Sequence, residues 1–155
     1  MSKAFSLRQA TRADLPALLA LYVHLNPDDT DTDLARSETS FDQFLRYDGS
    51  AIFLGETDGT LVSSCALVVI PNLTRGGAPY GLIENVVTHQ AYRGRGFGTA
   101  VLDAAAQRAW DQGCYKVMLM TGSKRPETLS FYQRAGFEQS KTGFQKRRVA
   151  ARRDQ

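Results

Sequence analysis

Six residues, Arg93-Gly94-Arg95-Gly96-Phe97-Gly98, constrain this chain more than any other stretch. They lie between a strand-like run, Tyr80 to Thr88, and a segment of helical spacing, Gly98 to Gln112. That segment carries Val101, Leu102, Ala105 and Ala109 and closes at Gly113. Glycines let a backbone take positive φ and approach a ligand closely. The first amides of a helix have no partner within it, and its dipole adds partial positive charge there. The loop is therefore an anion site suited to a pyrophosphate, to which Arg93 and Arg95 add charge. Tyr115 to Thr121 then reads as a buried-type strand. The order strand, loop, helix, strand is a β–α–β unit within a mixed α/β chain.

Two common phosphate loops do not fit. The dinucleotide pattern G-x-G-x-x-G fails, because its third glycine would fall on Thr99, or on Val101 if counted from Gly96. No G-x-x-x-x-G-K-[ST] string occurs. What stands here is R-x-x-G-x-G, read as Arg93, Gly96 and Gly98.

Upstream, Phe5, Leu7 and Gln9 alternate with Ser6 and Arg8 as in a short first strand. Thr11-Arg12-Ala13-Asp14 has the form of a capping box ahead of a first helix that reaches Leu25 and stops at Asn26-Pro27. A second helix spans Leu34 to Tyr47. Strands at Ala51 to Thr57 and Thr60 to Ile70 flank Asp58-Gly59, a two-residue hairpin signal. Pro126 opens a fourth helix that ends at Gly136, and Phe137-Glu138 and Thr142 to Arg148 offer one or two last strands. Strand alternation puts Glu84, Val86 and Thr88 on one face and Ile83, Asn85 and Val87 on the other.

The chain has 155 residues, 43% of them apolar, which fits one packed domain over 1–148 with a basic tail at 149–155. The net charge of +3 is concentrated at the end. Residues 146–155 contribute +4, so the remainder is close to neutral. That distribution argues against a fold-wide nucleic-acid surface. No run approaches the roughly 18 apolar residues of a membrane span. The start lacks a secretion-signal layout, which points to the cytosol. Cys65 and Cys114 read as buried packing residues, and no metal-ligand spacing appears.

The loop follows Ile83-Glu84-Asn85-Val86-Val87-Thr88 and precedes, about 30 residues on, Leu129-Ser130-Phe131-Tyr132-Gln133-Arg134-Ala135-Gly136-Phe137. This combination resembles the GCN5-related N-acetyltransferase (GNAT) superfamily. Gly113-Cys114-Tyr115-Lys116 is also similar to glucosamine-6-phosphate N-acetyltransferases, and Gly143-Phe144-Gln145-Lys146 to the ending of aminoalkylphosphonate acetyltransferases. The resemblance implies a central mixed, mostly antiparallel sheet of six to seven strands flanked by four helices. It also implies acetyl-CoA as co-substrate, a small amine as acceptor, and direct transfer in a ternary complex. A homodimer is a further implication.

By the same resemblance, backbone amides of Arg93, Gly94, Arg95, Gly96, Phe97, Gly98 and Thr99 hold the CoA pyrophosphate. The strand at Val86, Val87 and Thr88 pairs with the pantetheine arm, next to a gap where the fourth and fifth strands splay. An amide of Val86 or Val87 polarises the thioester carbonyl. Tyr132 serves the departing sulfur; its alternative reading is a core aromatic. Glu84 is the leading base, with a structural carboxylate as the alternative and His89 as a weaker candidate; His24 reads as a helix-end residue. Where many members carry an Asn before the Phe-Tyr pair, this chain has Arg125, so the cofactor contact falls to Arg125, Ser123 or Lys124. The acceptor side draws on Asn85, on Asp31 in the acidic loop 28–33, and on Arg75 in the loop before the fourth strand. Protein N-acetylation and a non-catalytic acyl-CoA sensor are the competing readings.

Overall fold

The computed structural model describes residues 4–28 and 32–151. The elements are β1 (Ser6–Gln9), a 3-10 turn (Arg12–Asp14), α1 (Leu15–Tyr22), α2 (Leu34–Leu45), β2 (Ala51–Thr57), β3 (Thr60–Ile70), β4 (Tyr80–Thr88), α3 (Phe97–Asp111), β5 (Val117–Leu119) and α4 (Pro126–Arg134). The sheet runs in chain order, β1-β2-β3-β4-β5. The first four strands are antiparallel neighbours, and β5 lies parallel to β4. Parallel neighbours need a crossover, and α3 supplies it.

Local chemistry sets the connections. Asp58 and Gly59 both take positive φ, 52° and 76°, as a type I′ turn requires, so β2 and β3 form the hairpin that their sequence signals. The Thr11 amide donates to the Asp14 carboxylate at 2.7 Å. That carboxylate also holds Arg8 of β1, at 2.7 Å. α1 ends at Tyr22, earlier than the apolar spacing suggests, because the Leu25 and Asn26 amides fold back onto the Tyr22 carbonyl.

The sheet is covered on both faces. Ala51, Phe53, Cys65, Leu67 and Ile83 pack against Val101, Leu102, Ala105 and Ala109 of α3. Ile52, Leu54 and Ala66 pack the other way, against Leu15, Leu18 and Phe41 of α1 and α2. Two covered faces explain why β2 and β3 read as nearly continuous apolar runs.

Two expectations are corrected. The sheet has five strands among the described residues, not six or seven. Residues 138–151 are exposed throughout, and Phe144, their main apolar anchor, is 93% exposed. Nothing there buries a strand face, so none forms. The second correction concerns β4. Ala66 pairs with Glu84 and Ser64 with Val87, so Asn85 and Val86 together oppose Cys65 alone. This is a β-bulge, and it breaks the alternation. Glu84 and Val87 pair with residues on the α1/α2 face, whereas Ile83, Val86 and Thr88 lie on the α3 face. Glu84 is therefore separated from Val86 and Thr88.

Candidate functional site

β4 and β5 part company in the middle of β4. Their pairing runs Gly81–Val117, Leu82–Met118 and Ile83–Leu119, and then it ends. β4 continues to Thr88. Residues Glu84 to Thr88 thus keep β3 on one side and have no β5 ladder on the other. The bulge lies within this stretch. Asn85 has φ of 52°, a left-handed conformation that Asn tolerates better than β-branched neighbours do.

The glycine loop closes the same end of β4. Gly94 and Gly96 have φ of 76° and 83°. A Cβ at either would meet no atom within 4 Å, so backbone sign, not crowding, selects glycine there. Gly98 has the opposite reason. A Cβ there would come 3.0 Å from both the Phe131 ring and the Thr88 hydroxyl, so glycine lets α3 sit tightly between β4 and α4. The first bond of α3 runs from the Ala100 amide to the Gly96 carbonyl, 3.0 Å. The amides of Phe97, Gly98 and Thr99 are the helix-start donors.

The arginines of the loop are held by the protein. Arg93 donates from Nε to the Thr88 carbonyl and from its terminal nitrogen to the His24 carbonyl, each at 3.3 Å. Arg95 stacks over the Tyr92 ring at 5.3 Å. His24 and His89 stack with centroids 4.0 Å apart. Nδ1 of His24 accepts from the Gln90 amide at 3.3 Å, and Nδ1 of His89 from the Ala91 amide at 3.1 Å. This clasp ties the end of α1 to the loop. Burial, with His89 and Arg93 nearby, lowers the His24 pKa.

On the α3 face, Tyr132 is half-buried in ring contact with Phe131 and Phe137, against the same buried cluster as Val86. Burial raises its pKa, with a smaller push from Cys65, so its hydroxyl keeps its proton and is a donor. At the start of α4, the Ser123 hydroxyl pairs with that of Thr128 at 3.2 Å and accepts the Arg125 amide at 3.3 Å. The exposed Arg125 side chain lies 3.8 Å from Glu127.

On the opposite face, Glu84 and Asn85 are exposed. The sequence reading missed Tyr22, the last residue of α1. Its phenol is half-buried and its pKa is pushed up to about 12. Desolvation is the main cause, the Asn85 side chain opposes it by hydrogen bonding, and Cys65 adds to it. The apolar spacing of α1 assigned Tyr22 only to packing, and nothing local marks it otherwise.

The structure does not bring Arg75 to this end. Arg75 precedes β4 and stacks over Tyr115 at 5.5 Å. At ~3.3 Å per strand residue, that end of β4 lies roughly 26 Å from the loop. A cavity of about 460 Å³ opens there too, lined by Asp48, Val69, Asn72, Leu73 and Gln112. Asp31 lies outside the described residues. Among the described residues, no group of three or more His, Cys, Asp or Glu could hold a metal ion, and no helix is long and apolar enough to cross a membrane.

Residues 18–137 match the acetyltransferase (GNAT) family. A glucosamine 6-phosphate N-acetyltransferase of Trypanosoma brucei brucei is 38% identical over 86 residues, 56% of this chain and 56% of that protein. The match therefore spans little more than half of that relative's length. Glucosamine 6-phosphate N-acetyltransferase 1 of Oryza sativa subsp. japonica is 30% identical over 139 residues, 87% of this chain and 82% of the relative. A solved structure from Agrobacterium tumefaciens str. C58, assigned as an acetyltransferase, is 45% identical with a TM-score of 0.87, covering 92% of this chain and 99% of that one. The family match runs unbroken from α1 through both arms of the strand opening to Phe137, and the chain belongs to the acetyltransferase (GNAT) family.

Proposed function

We propose that this chain transfers the acetyl group of acetyl-CoA to a primary amine of a small molecule, by direct attack in a ternary complex. The single observation that carries this reading is the end of the β4–β5 ladder at Ile83, on the same side as the helix-start amides of α3. A thioester chain laid along Glu84 to Thr88 replaces the missing strand, while its pyrophosphate meets the amides from Arg93 to Thr99. Arg125 and Ser123 flank the other arm of the opening.

The chemistry then divides between the two faces of β4. Glu84 takes the proton from the substrate ammonium, and Asn85 orients the freed amine. The amine nitrogen forms a bond to the thioester carbon while the C–S bond breaks. The Val86 or Val87 amide stabilises the developing oxyanion. The thiolate leaves with the Tyr132 proton, and the second nitrogen proton, shed as the amide forms, returns to the tyrosine oxygen. The bulge suits this division, since it puts Glu84 on the acceptor face and Val86 on the cofactor face, where Tyr132 also packs.

Glucosamine 6-phosphate, named for the trypanosome and rice relatives, is the first acceptor to test. The experiment is CoA release, detected as free thiol, across amino sugars, aminophosphonates, polyamines, aminoglycosides and peptides. Release with a small amine supports the reading. Binding of acetyl-CoA without release on any amine replaces it with an acyl-CoA sensor, and release with peptides alone with protein acetylation.

A further inference from the structure

The glycine loop carries two arginines, and the fold holds them in different ways. Arg93 donates from Nε to the Thr88 carbonyl and from a terminal nitrogen to the His24 carbonyl, each at 3.3 Å. Those nitrogens lie in one rigid guanidinium plane, so a single side chain joins the end of β4 to the residue two past the end of α1. Arg95 makes no hydrogen bond or ion pair among the described residues. Its guanidinium lies over the Tyr92 ring at 5.3 Å, a contact that steadies the cation and leaves its N–H donors free.

What Arg93 holds is the approach to the loop. The His89 amide donates to the Val62 carbonyl of β3 at 2.7 Å, and the Tyr92 amide returns to the His89 carbonyl at 2.9 Å. The Gln90 amide donates to His24 Nδ1 at 3.3 Å. Residues 88–93 are thus fixed from β3, from the end of α1 and from within. Beyond them the support stops. Gly94 and Gly96 have positive φ, and both face open space where a Cβ would lie. Support resumes at Phe97, whose ring stacks on Phe5 with centroids 4.6 Å apart. The loop amides therefore hang between two anchors, and Arg93 is the first of them.

We infer that the two arginines divide the work. Arg93 is a positioning residue that braces the loop against the end of α1, and Arg95, carried on Tyr92, supplies the side-chain charge that meets the cofactor phosphates. This rests on the proposed binding of acetyl-CoA at the loop. It also explains why position 93 holds arginine: a lysine ammonium is a point charge and lacks the planar fork that spans two carbonyls.

The test measures acetyl-CoA affinity by calorimetry in the full chain, for lysine and glutamine variants of each arginine, at about 0.05 and 0.5 M salt. Arg93→Lys and Arg93→Gln each weaken binding roughly five- to tenfold, the scale of the hydrogen bonds lost, by the same factor at both salts and with little change in Tm. Arg95→Lys stays within about twofold of wild type, because the charge is kept. Arg95→Gln weakens binding roughly five- to tenfold at low salt and hardly at all at high salt, where exposed charges are screened. In ¹⁵N–¹H spectra of the unliganded chain, the Arg93 Nε–H exchanges with water more slowly than that of Arg95. Wild-type affinity in Arg93→Lys overturns the inference, as does a loss in Arg93→Gln that shrinks with salt. A fall in Tm with unchanged affinity in both Arg93 variants makes the brace merely structural and overturns it too. A wild-type chain that binds no acetyl-CoA overturns the functional reading and the role of Arg95 with it; the Nε–H exchange still decides whether Arg93 is the brace.

Discussion

The two halves of β4 share one strand and differ in almost everything else. Gly81 to Ile83 is laddered on both edges, to Val69 through Leu67 of β3 and to Val117 through Leu119 of β5. It is tight enough that a Cβ on Gly81 would lie 3.0 Å from Leu67 and 3.4 Å from Ala109. Glu84 to Thr88 has one ladder, a bulge and a residue with positive φ. Backbone groups committed to neighbours on both sides make a scaffold. Where one neighbour is withdrawn, the same groups become available to a ligand, and the bulge assigns adjacent side chains to opposite faces. The regular half sustains the irregular one, and changes on either side of Ile83 have different readouts.

The largest effect on stability belongs to the paired half. Ile83 is 1% exposed among Leu67, Val101 and Leu102. Ile83→Ala should cost about 2–5 kcal/mol in denaturant unfolding, with activity per folded molecule retained. A loss near zero would show that the ladders, not this packing, hold the strand. In the open half the large effect is on turnover. Tyr132→Phe should lower kcat by about 10²-fold, the lower end of the range for a positioned proton donor, with acetyl-CoA affinity unchanged. Wild-type turnover in this variant would return Tyr132 to the core.

The loop glycines sharpen the contrast at a smaller scale. Gly96→Ala adds a methyl to open space but forces a left-handed alanine, about 1–2 kcal/mol of backbone strain. It should weaken acetyl-CoA binding up to about tenfold by calorimetry, with a minor fall in Tm. Gly98→Ala presses on Phe131 and Thr88 and should lower Tm more than Gly96→Ala does. The reverse ranking would mean that Gly96 is structural and Gly98 faces the ligand.

How much of this the sequence disclosed follows from how local the physics is. Asp58-Gly59, Pro126 and the glycine loop are short-range signals, and the hairpin, α4 and the start of α3 lie where those residues put them. Element order and the match of Tyr132 to the family pattern were legible for the same reason. The bulge was not. Its one residue-level trace is an Asn among apolar strand formers, and alternation assumes the regularity that a bulge removes. Tyr22 was illegible because its partner is 63 positions away in the chain. Spacing assigned Arg93 to the anion loop but did not reveal the neighbours that hold its side chain. Its bonds to the Thr88 and His24 carbonyls depend on where α1 ends, which apolar periodicity overestimated.

The clasp at that α1 end sets the last and smallest effect, because it joins the open half of β4 to the acceptor-side helix. His24 and His89 each use Nδ1 as an acceptor, which requires neutral imidazoles, and Arg93 lies beside them. Burial, then His89 and Arg93, lower the His24 pKa below its unfolded value. As pH falls below about 6.5 the unfolded chain takes up the proton first, so native stability declines with falling pH until His24 titrates in the folded state too. Asp14 acts elsewhere on the scale. Hydrogen bonds from Arg8 hold its carboxyl at about 2, so its contribution is full above 3.8, falls as pH drops from there, and is lost below about 2. Denaturant unfolding between about pH 7.5 and 5 should therefore show a decline that is absent in His24→Gln. Acetyl-CoA affinity should fall over the same window, since the loop is held by the same clasp. An identical decline in His24→Gln would move the titration away from the clasp and leave it a purely steric join between α1 and the loop.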